Sequence, residues 1–416
     1  LKVLVVNNID IKGGAYRASK NIHKALIQAG IDSIFYSYCH LGSDFYRKTC
    51  HSADRLPLRF YPNRQFPDFF SPARAGINIR NESAFNEADV INLHWTTGGF
   101  LSLKSIEWIM KLGKPVVWTM HDFWPVSGGC HLNRGCLKFE QQCGACPVLG
   151  SVKEYDLSRK IWEKKKAIYQ NTNIHWVTVS NWFMSQAKKS SLVNHSDLSK
   201  IFNAIDTETF APADKLSLRK ELKLPDGQFI LLCGGFGITK DPNKGFADLL
   251  TSLQILKDKH NTGADKILLV VFGDVSNSEL AGSEYPVINA GLINDDSLLA
   301  KYYAAADVFV CTSKQETGPT TIPESMSCGT PVISYQVGIV PEIIKNDENG
   351  FICPNNNSEE IANGILYFYS MEKEKRSVFG TNARKMIASN CSYEITGKMY
   401  LQLFSKIREE HQSIKA

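Results

Sequence analysis

The chain has 416 residues, 43% hydrophobic and 21% charged, an ordinary make-up for a soluble globular protein and a poor fit to disorder, collagen or coiled coil. At about 150 residues per domain the length predicts two to three domains, each long enough to bury its own core. The net charge of +5 conceals an asymmetry: residues 1–202 hold 26 Lys and Arg against 15 Asp and Glu, a net of +11, and the remainder holds 21 against 27, a net of −6.

From the start of the chain, residues 2–7 read as a buried strand with no small-residue cleavage site behind it, so no signal peptide is expected. Gly13-Gly14 then makes a turn into a helix with Ala18, Ile22, Ala25, Leu26 and Ala29 at helical spacing. Gly30 caps that helix and 31–38 is the next strand. Further β-branched runs lie at 90–93, 115–120 and 174–179. A polar, charged stretch carrying Pro212 and Pro225 marks the boundary between domains, after which the pattern restarts. Strand 229–233 leads to the glycine loop Gly234-Gly235-Phe236-Gly237, helix 245–258 and strand 267–272. Strands at 308–311 and 331–334 follow further helical stretches. Strands alternating with helices predict βαβ units and parallel sheets, hence two doubly wound α/β domains in series with ligands expected in the cleft between them. No apolar run approaches the ~18 residues of a membrane-spanning helix.

The densest chemistry lies between Thr312 and Glu342. Glu316 and Glu324 are separated by seven residues, and the loop Gly318-Pro319-Thr320-Thr321 between them feeds a helix starting near Ile322-Pro323. Ionised carboxylates accept two hydrogen bonds from vicinal sugar hydroxyls. On spacing alone, a solvated loop glutamate and a helix-start glutamate facing the dipole are an equal reading.

The stretch resembles the glutamate-x7-glutamate signature of family 4 glycosyltransferases. Pro323, Glu324, Met326, Gly329, Pro331, Val332, Pro341 and Glu342 fit that pattern in order, although the Gly-Phe-Gly of the family's loop is Thr317-Gly318-Pro319 here. Gly13-Gly14, Val179-Ser180, Asn203-Ala204-Ile205-Asp206, Lys244-Gly245, Gly273-Asp274 and Ala306-Asp307-Val308 extend the resemblance over nearly the whole chain. It implies two Rossmann-like domains facing across a cleft (the GT-B fold). Residues 1–205, with a C-terminal helix 393–416 crossing back, would take the acceptor, and 206–392 the nucleotide-sugar donor. It places Gly13, Gly14, Lys240, Lys244, Gly273, Ile293, Gly318 and Glu324 around the donor, Glu324 on the ribose. Glu316, Lys244 and His121 would act at the reaction centre, with Lys244 and the helix after Gly14 meeting charge that builds on the leaving diphosphate. Where the family usually carries an Arg after the first strand of the second domain, this chain has Gly235-Phe236-Gly237. Lys240 either substitutes across the loop 238–243 or is a surface lysine.

The resemblance implies a hexosyltransferase that retains anomeric configuration, takes UDP-sugar or another nucleotide-sugar, and needs no cofactor. The sequence shows no Asp-x-Asp to hold a divalent ion against the diphosphate. A sugar-nucleotide 2-epimerase of the same architecture and a nucleotide-sugar-binding protein without turnover are the alternatives. His121 and His94 end predicted strands, where a histidine also simply satisfies strand-end hydrogen bonds.

Cys130, Cys136, Cys143 and Cys146 are spaced C-x5-C-x6-C-x2-C. Four thiolates suit a closed structural Zn²⁺ site, His131 being a spare ligand, with two disulfides or free thiols as the other readings. The scattered cysteines elsewhere read as the reduced thiols of a cytoplasmic protein. Arg159, Lys160, Lys164, Lys165 and Lys166 with Ile161, Trp162, Ile168 and Tyr169 read as a basic amphipathic helix. It is either a solvated surface helix or a contact to the inner face of the membrane, where a lipid-linked saccharide acceptor would be met. A nucleic-acid role would leave the second domain unexplained, and no nucleic acid is expected as a partner.

Overall fold

The computed structural model describes residues 1–8, 13–38, 44–65, 69–170, 172–260, 263 and 266–415. It separates into two compact units, Leu1–Phe202 with Thr396–Ala416, and Asn203–Ile395. The division falls at Asn203, at the start of the composition shift and just ahead of the boundary expected after residue 205. Ile205 already belongs to the second unit, where its N–H donates to Cys391 O at 2.7 Å.

The first unit holds a six-stranded sheet. Its strands are β1 (Lys2–Val6), β2 (Asp32–Tyr36), β3 (Val90–Leu93), β4 (Val116–Met120), β5 (Ile174–Thr178) and β6 (Leu198–Lys200). They lie in the order β2-β1-β3-β4-β5-β6 and all pair parallel. Val3 to Val6 and all of β3 and β4 are buried, as expected for strands covered by helices on both faces. Helix Gly14–Gln28 buries Ala18, Ile22, Ala25 and Leu26. It ends at Gly30, whose φ of +80° lets the chain reverse so that Ile31 N reaches Leu26 O at 3.0 Å. Trp118 on β4 stacks on Trp176 of β5 with ring centroids 5.3 Å apart, and Tyr169 meets Trp176 edge-on.

Helix Tyr393–Lys415 starts in the second unit and belongs to the first from Thr396 onward. Its Tyr400 hydroxyl lies 3.0 Å from Thr119 Oγ1 of β4. Gly397 allows close approach to helix Gly14–Gln28, since a Cβ there would collide with Ala25 O.

The second sheet is built from β7 (Phe229–Gly234), β8 (Ile267–Phe272), β9 (Val287–Gly291), β10 (Val308–Cys311), β11 (Val332–Tyr335) and β12 (Gly350–Cys353). The order is β12-β11-β10-β7-β8-β9, again all parallel. Read from β9, this is the doubly wound order 3-2-1-4-5-6, whose topological switch lies between β7 and β10. A buried charge network fixes this sheet. Asp307, just before β10, accepts from Arg219 Nη2 at 2.7 Å and from Ile230 N of β7 at 2.8 Å, with Lys215 Nζ at 3.4 Å. The three strands unread from sequence, β6, β9 and β12, are all sheet edges, and none carries a continuous buried run.

Helix Leu157–Tyr169 corrects one expectation. Its apolar face, Ile161, Trp162, Ile168 and Tyr169, is packed into the core, and Lys165 is fully buried rather than part of a basic surface. Lys165 Nζ lies 3.4 Å from the Trp124 ring centroid and donates to Trp124 O and, at 3.0 Å, to Ser127 O. Burial pushes its pKa down to about 7. The helix therefore has no free apolar face with which to enter a membrane.

Candidate active site

In the second unit the carboxyl ends of β7 and β10 flank the switch point. The loop after β7 turns through Pro242–Lys244, and the loop after β10 carries Glu316. Lys244 Nζ and Glu316 Oε1 lie 2.6 Å apart, with 28% and 18% of the side chains exposed. Burial pushes the Lys244 pKa down, but the adjacent Glu316 charge and hydrogen bond outweigh it, so the net direction is up. The ammonium stays charged in a site only partly open to water.

The two loops are fastened to each other. Thr312 Oγ1 donates to Lys244 O at 3.0 Å, Lys314 N to Asn243 O at 2.7 Å, and Asn243 Nδ2 to Gln315 O at 2.8 Å. Gly245, at φ +66°, could carry no side chain, because a Cβ would collide with Thr312 O. A Cβ on Gly338 would lie 2.7 Å from both Glu316 O and Thr317 O, so the loop seats against bare backbone there as well. Asn203 Nδ2 donates to Gly318 O at 3.0 Å and holds the loop's far end.

Glu324 sits in the first turn of helix Thr321–Ser327, close to the expected start. It is 1% exposed, and Tyr303 OH donates to its Oε2 at 3.4 Å. Unlike Glu316, it does not project from a loop in this structure. Gly273 ends β8 at φ +132°, where a Cβ would collide with Gly235 O. Ile293 is buried just past β9. Lys240 is not gathered with Lys244. It pairs with Asp274 at 2.8 Å, both side chains more than half exposed.

In the first unit, His94 follows β3 and His121 follows β4. His94 Nδ1 and His121 Nε2 are 2.9 Å apart, and the rings stack with centroids 5.2 Å apart and planes 17° from parallel. Burial pushes both below the usual histidine range, His121 to about 4 against the opposing Asp122 charge. Both are neutral at pH 7. Gly13 is the N-cap of helix Gly14–Gln28, which no side chain caps and whose first turn holds no acidic residue. A Cβ on Gly14 would meet nothing within 4 Å.

Asp122 reaches the cysteine segment, accepting from Trp124 N at 2.8 Å and pairing with His131 Nδ1 at 2.6 Å. His131 Nε2 meets Ser71 Oγ at 2.8 Å. With both ring nitrogens engaged, His131 is not a spare metal ligand. Cys130, Cys136, Cys143 and Cys146 all line one cavity of about 20 Å³, and each is a free thiol. Burial pushes Cys130, Cys143 and Cys146 up to about 12. Cys143 Sγ accepts from Gly128 N at 3.1 Å, and Cys146 Sγ from the N–H groups of Val148 and Leu149. Among the described residues no three His, Cys, Asp or Glu side chains stand in metal-holding geometry.

Of the residues predicted from sequence, the structure brings together Lys244 with Glu316, His94 with His121, and the four cysteines, while Lys240 pairs with Asp274 and Glu324 meets Tyr303 instead. Three positions that hold the first of these, Asn203, Asn243 and Gly338, were assigned no role from sequence. Asn203 lay in view within the Asn203-Ala204-Ile205-Asp206 motif; the other two carry no local signal beyond a turn.

Two family models tile the chain. "Glycosyltransferase Family 4" matches residues 12–209 and "Glycosyl transferases group 1" matches 214–386. A protein of Escherichia coli (strain K12) named for colanic acid biosynthesis, the glycosyl transferase WcaC, is 25% identical over 409 residues, covering 92% of this chain and 93% of that one. Three other curated relatives are matched over only 48 to 65% of their own length. Among solved structures, sucrose-phosphate synthase from Thermosynechococcus elongatus has a TM-score of 0.69 at 17% identity, over 98% of both chains. HepE of Anabaena, in complex with UDP and glucose, has a TM-score of 0.62 at 16% identity, over 98% of this chain and 100% of that one. The structural likenesses show the two-domain GT-B fold, and the two family models, over residues 12–209 and 214–386, make the chain a family 4 glycosyltransferase.

Proposed function

We propose that the chain moves a sugar from a nucleoside-diphosphate sugar, UDP-linked in the first instance, to a saccharide or lipid-linked saccharide, retaining the anomeric configuration. The observation that carries this reading is the Lys244–Glu316 pair, 2.6 Å apart beside the switch point of the second sheet, where ligands of doubly wound sheets bind. HepE, of the same fold, was solved with UDP and with UDP-glucose.

In this reading the second unit binds the donor and the first the acceptor. Lys244 is already charged and held by Glu316 beside the switch point, so its charge is in place before the diphosphate arrives. Donor binding divides the pair, the ammonium going to phosphate oxygen and Glu316 to sugar hydroxyls. Glu324 takes the ribose hydroxyls. The bond from the anomeric carbon to the diphosphate oxygen breaks with its electron pair leaving on phosphate. The acceptor oxygen attacks from the same face, and its proton passes to the departing phosphate. Lys244 supplies charge that a divalent ion supplies elsewhere, so turnover in excess chelator is the expected behaviour.

Incubation with a panel of sugar nucleotides tests this. Slow donor hydrolysis without acceptor, and transfer with one, is expected. An isomeric donor as the sole product would establish the epimerase instead, and binding without chemistry would remove the enzyme reading for these donors.

The four cysteines fit a structural Zn²⁺ by donor chemistry. They share one cavity, and the N–H donors on Cys143 and Cys146 offset part of the burial that favours the neutral thiol. Binding requires the sulfurs to close into metal-holding geometry, which no three of them have among the described residues. Metal analysis with thiol counting is expected to give about one zinc per chain, and less than half would reject the site. Membrane contact, if the acceptor is lipid-linked, falls to the segment of helix Asp44–Arg55 and turn Leu56–Phe60. Phe45 and Phe60 are 78% and 83% exposed there, among Arg47, Lys48, Arg55 and Arg59. No helix among the described residues is long and apolar enough to cross a membrane. Sedimentation with anionic vesicles that is unchanged in the F45S/F60S double variant would refute this assignment.

A further inference from the structure

Between His94 Nδ1 and His121 Nε2, 2.9 Å apart, one nitrogen donates and the other accepts. The surroundings of His94 decide which. Its backbone N–H donates to Val6 O at 2.9 Å, and its carbonyl accepts from Trp118 Nε1 at 3.1 Å. The residue is 2% exposed, and its Nε2 is buried with no hydrogen-bond partner. If His121 donated, a neutral His94 would carry its own proton on Nε2, an orphaned N–H in the interior. If His94 donates, only an aromatic lone pair is left bare at Nε2. A buried N–H without a partner is the rarer and costlier defect. Protonating both nitrogens of either ring is no escape near neutral pH, because burial holds both below the ordinary histidine range.

We infer that His94 is a positioning residue: its Nδ1–H donates to His121 Nε2, fixes the stacked ring, and confines the His121 proton to Nδ1. His121 is then a neutral ring whose one ring proton sits on Nδ1, and its Nε2, already accepting from His94, is not available as a base. This rests on the reading that His121 contacts the reacting sugar. It deepens that reading by assigning the ring a tautomer and a direction, and it leaves the departing phosphate as the proton's destination.

Two measurements test it. Long-range ¹H–¹⁵N spectra of the full chain labelled in histidine, assigned with H121Q, read the tautomer directly. A protonated Nδ1 and bare Nε2 on His121 at pH 7 are expected, and a proton on Nε2 would overturn the inference. In steady-state assays H94A is expected to lower kcat about 10- to 100-fold, the usual cost of losing an orienting partner, with KM for the nucleotide-sugar changed less than about threefold. H94N, whose amide N–H can stand where Nδ1–H stood, is expected to restore kcat to within about threefold of wild type. An H94N as impaired as H94A, or an H94A at full rate, would also overturn it. H121A separates the catalytic role of His121 from its tautomer. Full turnover in H121A defeats the catalytic reading, while the spectrum still decides the tautomer.

Discussion

At the ends of β7 and β10 the second unit sets a positive and a negative charge 2.6 Å apart, each partly open to water. At the ends of β3 and β4 the first unit sets two stacked imidazoles, neutral and largely withdrawn from water. Both lie where a parallel sheet delivers its loops, yet they suit different tasks. A charged pair that can separate suits a diphosphate whose charge grows during reaction. A neutral pair of fixed polarity suits hydroxyl groups whose charge does not. The overall asymmetry runs the other way, with the basic excess of +11 in residues 1–202. Net charge of a half and the placement of its individual charges are thus separate matters: the acidic half holds the lysine that a carboxylate orients.

The largest effect should come from breaking the charged side. K244A is expected to lower kcat about 100- to 1,000-fold, as for other preorganised charge donors, measured as release of UDP from a UDP-sugar. A variant within a few-fold of wild type would show that the lysine is only structural. D307N tests the second sheet without touching either pair. It leaves Arg219 buried without its charge partner and is expected to cost about 3–5 kcal/mol of stability in denaturant unfolding. Its kcat below the unfolding transition should be unchanged.

G245A should cost about 1–3 kcal/mol, since φ +66° and the contact with Thr312 O both resist a Cβ, and it should loosen Lys244 enough to raise KM for the donor. The smallest effect is the pH response, which also separates the two pairs by sign. The folded pKa of His121 is about 4, below the ordinary value of 6.5. Between those values the unfolded chain binds a proton that the folded chain refuses, so stability present above pH 6.5 is lost as pH falls toward 4. Lys244 is shifted upward from 10.5, so its contribution is complete below that value and is lost only in stronger alkali. A drop in Tm of about 2–4 °C on moving from pH 7 to pH 5, reduced in H121Q, is expected. A Tm that does not change with pH over that range would contradict the buried neutral pair.

Much of this could be read from the sequence because central parallel strands are continuous apolar runs. Residues 267–272 and 308–311 could be nothing else, and the family resemblance ordered the motifs around them. The edge strands β6, β9 and β12 escaped because a half-exposed strand needs no such run. Lys165 misled for a different reason. Its side of the helix looked polar by pattern, but two carbonyls and the Trp124 face give its ammonium a cage that no periodicity encodes. Glu316 and Lys244 were each legible as candidates. Their pairing across 72 positions, and its support by Asn203, Asn243 and Gly338, depend on tertiary contacts between loops, which local sequence does not carry.

In the proposed site the Lys244–Glu316 pair opens to receive a nucleoside diphosphate. Calorimetric titration of UDP into wild type and K244A, both in excess chelator, measures that step. Loss of a charge-assisted hydrogen bond to phosphate, about 1.5–3 kcal/mol, predicts UDP binding about 10- to 100-fold weaker in the variant, with wild-type binding unaffected by the chelator. Equal affinity in the two proteins would contradict the account.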